Sequence, residues 1–113
     1  MDRFGLSETR RPERLSLAIE IKALGSEHLN VAYTYANLAS AHELNGEYDK
    51  AIRRHQESLT IMLKKLGARN LEVASACRSL GKVYAKKGDK PKAKAFLIKA
   101  KAIFVKKLGP KHP

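Results

Sequence analysis

Apolar and small residues recur at steps of three and four along most of the chain. Val31, Ala32, Tyr35, Leu38, Ala39 and His42 form one such stripe, and Ala51, Ile52, His55, Ser58, Leu59 and Met62 form a second. A third runs through Val73, Ala74, Cys77, Leu80, Gly81 and Tyr84, and a fourth through Ala93, Leu97, Ala100, Ile103 and Phe104. This period marks one face of a helix. Gly46, Gly67 and Gly88 punctuate the stripes, as expected of a residue that accepts the left-handed backbone at a helix stop. Asp89 reads as a helix N-cap, with Pro91 in the first turn, where its missing N–H costs little. No period-two alternation competes, so the pattern predicts an all-α chain.

The stripes come in pairs because the sequence repeats. Leu24-Gly25, Leu66-Gly67 and Leu108-Gly109 are spaced by 42 residues both times, and residues 25–66 lie over 67–108 without a gap. Twelve positions are identical, among them Val31/Val73, Ala32/Ala74, Leu38/Leu80, Gly46/Gly88 and Ala51/Ala93. A fixed period of this size is the signature of stacked helical units. Small residues fall at Ala39/Gly81, Ala51/Ala93 and Ser58/Ala100, where two helices of a unit would cross closely. Shifted by one period, residues 12–24 (PERLSLAIEIKAL) match the second helix of a unit, and LGPKHP opens a further one. The chain therefore divides into an N-terminal extension, 1–11, expected to be disordered, and an array over 12–113. The array holds a partial unit, 12–24, full units 25–66 and 67–108, and the start of another, 109–113, about five helices in all. Apolar faces left bare at the ends would favour self-association.

Charge changes the picture of what this array meets. The net charge is +12, and residues 67–113 carry thirteen Lys/Arg against two Asp/Glu, while the earlier parts are nearly balanced. That asymmetry points to an acidic partner. No apolar run is long enough for a membrane span, the N-terminus lacks a signal-peptide core, and Cys77 is the single cysteine. A reducing, cytoplasmic setting is expected.

The sequence resembles the tetratricopeptide repeat of the 42-residue kind found in kinesin light chains. LGKVY at 80–84, followed by Gly88, Ala93, Leu97 and Ala100, matches that family's spacing. LGSEHLNVA and LGPKHP are similar to its unit opening, and ANLA at 36–39 to its Asn-Asn-Leu-Ala. His42 stands where the family has Tyr, and His55 where it has a large apolar residue. The resemblance implies antiparallel helix pairs wound into a right-handed solenoid. The first helices would line a concave groove that binds peptide segments of other proteins, as a scaffold or adaptor and not as an enzyme. Groove positions would be Tyr33, Ala36, Asn37, Ser40 and Leu44, then Ser75, Arg78, Ser79, Lys82 and Lys86.

Arg78, Lys82 and Lys86 are spaced by four, so they share one helix face. With Asn37 beside them to hold peptide amides, they would bind an extended acidic segment. Arginine suits this because its planar fork bonds both carboxylate oxygens. Lys90, Lys92, Lys94, Lys99, Lys101, Lys106 and Lys107 are read as an outward, solvating set. Nucleic acid is disfavoured as partner because no aromatic platform interleaves them. His42 and His55 are read as neighbouring core histidines, since no ligand set completes a metal site around them. Glu47, Asp49 and Glu57 read as solvent-facing charges. Cys77 falls on an inward stripe, where a thiol packs and does not react. No cofactor motif and no catalytic constellation is present. The reading is a protein-binding repeat module, with self-association through bare ends as the alternative.

Overall fold

The computed structural model of the chain describes residues 28–109. It contains four helices and, among the described residues, no strand. They are α1 (Leu29–Leu44), α2 (Tyr48–Leu66), α3 (Leu71–Lys87) and α4 (Lys90–Leu108). The second pair begins 42 residues after the first at both helix starts, so the backbone follows the sequence period. The helix expected at 12–24, the extension 1–11 and residues 110–113 lie outside the described residues.

Local chemistry sets the helix ends. The His28 Nδ1 accepts from Asn30 N at 3.0 Å and the Asn70 Oδ1 from Glu72 N at 2.7 Å, which caps α1 and α3 at equivalent positions. The Asp89 Oδ1 accepts from Lys92 N at 3.2 Å and caps α4, with Pro91 in the first turn. Each cap satisfies an orphan backbone donor of a first turn. Gly88 closes α3 at φ +97°, in left-handed backbone that a side chain would strain.

Each helix packs on the next in sequence: α1 on α2, α2 on α3, α3 on α4. α2 lies between two neighbours and buries Ala51, Ile52, His55, Ser58, Ile61 and Met62. One apolar cluster joins Val31, Ala32 and Leu38 to Ile61, Met62, Val73 and Cys77. A second joins Ala39, Ala51 and Ile52 to Leu80, Val83 and Tyr84. Leu59 and Phe96 touch both clusters, so the core is continuous across the two units. Polar contacts cross the same seam. Gln56 Nε2 donates to the Tyr84 hydroxyl at 3.2 Å, and Lys87 Nζ lies 2.6 Å from Asp49 Oδ1. Tyr84 also stacks on Phe96, with centroids 5.6 Å apart.

α4 departs from its expected stripe. Only Ala93 and Ala100 are buried, while Leu97, Ile98 and Leu108 are exposed. Of the equivalent α2 residues, His55 is buried and Leu66 partly buried, and no described helix packs beyond α4 as α3 packs on α2. Ile61 and Val83, absent from the sequence stripes, are buried because α2 and α3 each meet neighbours on two sides.

The small residues do mark the close crossings. Ala39, Ala51, Ser58, Ala93 and Ala100 are all buried. At Gly81 an added Cβ would lie 2.8 Å from Leu97 Cγ and 3.1 Å from the Ala93 carbonyl oxygen. Leu97 can swing outward, but the carbonyl belongs to the backbone of α4. Gly81→Ala therefore sets a helix-propensity gain of about 1 kcal/mol against overpacking of about 1–3 kcal/mol. The expected outcome is a net loss near 1 kcal/mol, read by urea unfolding. Adding Leu97→Ala should cost less than the sum of the two single changes.

Candidate functional site

α1 and α3 lie side by side because α2 packs against both. Two side-chain links tie them at matching ends. The Tyr33 hydroxyl, near the start of α1, donates to Glu72 Oε1, near the start of α3, at 2.8 Å. Lys86 Nζ, near the end of α3, reaches Glu43 Oε2, near the end of α1, at 2.6 Å. The helices therefore run in the same direction. Both links are exposed, so they position the helices more than they stabilise the fold.

Between the helices opens a cleft of about 290 Å³. Tyr33 and Ala36 form the α1 wall, and Glu72, Ser75, Ala76 and Ser79 form the α3 wall. The floor is α2, through His55, Ser58 and Met62. His55 is 5% exposed and Ser58 1%, and His55 Nε2 and Ser58 Oγ have no hydrogen-bond partner among the described residues. A buried polar group left unmatched costs about 1–3 kcal/mol, so two of them on one cleft floor are a costly feature.

The electrostatics follow from this geometry. Burial pushes the His55 imidazole below its usual pKa, against a smaller upward pull from Glu43. The hydrogen bond to Glu72 raises the Tyr33 phenol, and the hydrogen bond from Lys86 to Glu43 raises the Lys86 ammonium.

The sequence-expected residues divide into three groups. Tyr33, Ala36, Ser75 and Ser79 line the cleft. Asn37, Ser40 and Lys82 are exposed on α1 and α3, and Leu44 is 89% exposed at the end of α1, but none of the four forms the cleft wall. The three cations are not equivalent. Lys86 is held by Glu43, and the Arg78 guanidinium lies 5.5 Å over the Phe104 ring. Lys82 has no ion-pair partner among the described residues. The floor residues His55, Ser58 and Met62, with Glu72 and Ala76, were not singled out as a site. A signal existed in the repeat itself, which places Leu97 opposite His55 and Ala100 opposite Ser58.

Other readings resolve as follows. His42 is buried and finds its partner in Glu47, with Nδ1 3.0 Å from Oε1. Glu47 is thus not a simple solvent-facing charge; it also meets Lys50 at 3.3 Å. Asp49 and Glu57 stay near the surface, paired to Lys87 and Arg54. Cys77 is buried and its thiol is pushed up by desolvation, which keeps it protonated. All seven α4 lysines are exposed. No group of three metal-ligating side chains occurs among the described residues.

A tetratricopeptide repeat family model matches residues 14–64 and again 31–104, which together span most of the chain. The chain belongs to the tetratricopeptide repeat family. No curated protein matches it in sequence. Tetratricopeptide repeats are generally protein–protein interaction modules, and the helix-on-helix architecture agrees with that family. No helix among the described residues is long and apolar enough to cross a membrane.

The buried imidazole gives the tetratricopeptide repeat core a pH dependence of defined sign. The unfolded chain takes up a proton at His55 near pH 6.5, before the folded chain does. Stability from this residue is therefore complete above about pH 6.5 and falls as pH drops towards the lower folded value. The melting temperature should fall between pH 7.5 and 5.5, and the slope should be shallower in His55→Leu.

Proposed function

We propose that this chain holds an extended, acidic segment of a partner protein along the groove formed by α1 and α3. The observation that carries the reading is the open cleft between these helices, walled by side chains of both, with Asn37, Ser40 and Lys82 exposed on the same two helices. Tyr33 and Leu44 offer apolar contact, and Asn37 offers an amide that can pair with a peptide backbone. Lys82 supplies the cation with no internal ion-pair partner, flanked by Arg78 and Lys86. In this reading the units 25–66 and 67–108, with a fifth helix from 12–24, wind into a right-handed superhelix of the kinesin-light-chain-like, 42-residue type. The protein acts as a cytoplasmic adaptor or scaffold and carries out no chemistry.

A second reading draws on the exposed Leu97, Ile98 and Leu108 of α4. These sit where a unit normally receives the next helix, and a second copy could cover them. Mass that rises with concentration would favour it, and a monomer at high concentration would remove it.

The peptide reading is tested by titrating a labelled Asp/Glu-rich decapeptide, with single-stranded RNA as competitor. Exposed charge pairs contribute about 0.2–1 kcal/mol each. Arg78→Glu, Lys82→Glu and Lys86→Glu together should therefore weaken binding by about 3–150-fold. RNA should barely compete. Equal binding by the wild type and the triple variant, or displacement by RNA, would sink the proposal.

A further inference from the structure

The two units treat one place in the fold differently. Unit two carries the half-exposed Leu97 and the buried Ala100 at the helix crossing, while unit one puts His55 and Ser58 at the same positions. Unit two shows that the crossing accepts an apolar residue at Ala100, which is buried. Unit one instead buries an imidazole nitrogen and a hydroxyl that no protein group meets among the described residues. Both side chains are more than nine-tenths buried, and both form the floor of the cleft between α1 and α3.

We propose that this floor is a specificity pocket for an uncharged carboxamide, the side chain of a glutamine or asparagine in the docked segment. The inference rests on the peptide-groove reading and adds to it what the groove selects. His55 and Ser58 are three residues apart on one helix, so their side chains share a face. A carboxamide carries a donor and an acceptor on one planar end. Both floor atoms are closed to solvent when the cleft is empty; once the overlying α1 and α3 side chains give way, a carboxamide can give a hydrogen to one and accept one from the other, whichever imidazole tautomer is present. Its stem would run past Met62, Ala36 and Ala76. An anionic tip meets no cation in the pocket and faces Glu72 on the α3 wall, with Glu43 close enough to act on His55. A cationic tip on the floor would lose its water with no counter-charge beside it. A purely apolar tip leaves both floor atoms unmatched. The acidic residues of the segment would lie outside the pocket, along Lys82.

The experiment uses the full chain and one host decapeptide, Asp/Glu-rich, with a single central guest position. Guests are Gln, Leu, Glu, Lys and Tyr. Gln should bind about tenfold more tightly than Leu, the equivalent of one satisfied hydrogen bond, and more tightly than Glu, Lys or Tyr. Ser58→Ala and His55→Leu, which install unit two's residues, should erase the preference while folding as well as the wild type by circular dichroism and melting. Should either variant fail to fold, the other carries the test. Host peptides that bind equally well with every guest would overturn the pocket while leaving the groove reading standing. A guest other than Gln that binds best overturns it too.

A second arm separates the two failures. N-acetyl-glutamine methylamide and its leucine counterpart are titrated against 15N-histidine-labelled protein. A shift of the His55 Nε2 resonance by the glutamine compound alone supports the pocket even if no acidic peptide binds. No difference between the two compounds overturns it.

Discussion

The structure depends on one constraint: α2 must be buried from two sides. A single helix pair hides only one face of each helix, and residues such as Ala51, Ile52, Ile61 and Met62 need more cover than α1 can give. α3 supplies it, through Val73, Leu80 and Val83 in the two clusters that run between the units. Burying an apolar side chain of this kind is worth about 1.5–3 kcal/mol, and a fold this small has little to spare. The same demand is unmet at α4, which is why Leu97, Ile98 and Leu108 stand in solvent.

The cleft is a consequence of that packing. Once α1 and α3 both lie on α2, their remaining faces run next to each other, and α2 becomes the floor between them. The hydrogen bond from Tyr33 to Glu72 and the ion pair from Lys86 to Glu43 fix the spacing at both ends. These links also use up charge. Lys86 is partly neutralised by Glu43, and Glu72 brings a carboxylate to the wall, so the groove is less uniformly positive than the chain's net charge suggests. The large excess of lysine lies instead on α4, where all seven lysines are exposed.

Much of this was legible in the residues. The 42-residue spacing, the glycine stops and the small residues at the crossings point to the four described helices among the five expected, to their pairing and to most of the buried set, since those features answer to local geometry. Ile61 and Val83 escaped because they are buried by the neighbouring unit, and one stripe per helix records only one neighbour. Tyr33, Ser75 and Ser79, which line the cleft, are among the positions the family resemblance implied. The floor could not, because His55 and Ser58 sit on the inward stripe and read as packing. Only the comparison with Leu97 and Ala100 exposes them as polar where the fold tolerates apolar residues. The pairing of Glu43 with Lys86 was also invisible, because it joins residues 43 positions apart through a helix register that a single sequence does not state.

The central claim is that partner segments enter between α1 and α3, over the α2 floor. Backbone 15N chemical-shift mapping with an acidic decapeptide tests it most directly. The account predicts that the largest shifts fall on Tyr33, Ala36, Asn37, Ser75, Ser79 and Lys82, with His55 and Ser58 responding beneath them. Shifts concentrated on Lys90, Lys94, Lys101 and their neighbours on α4, with the cleft unmoved, would contradict it.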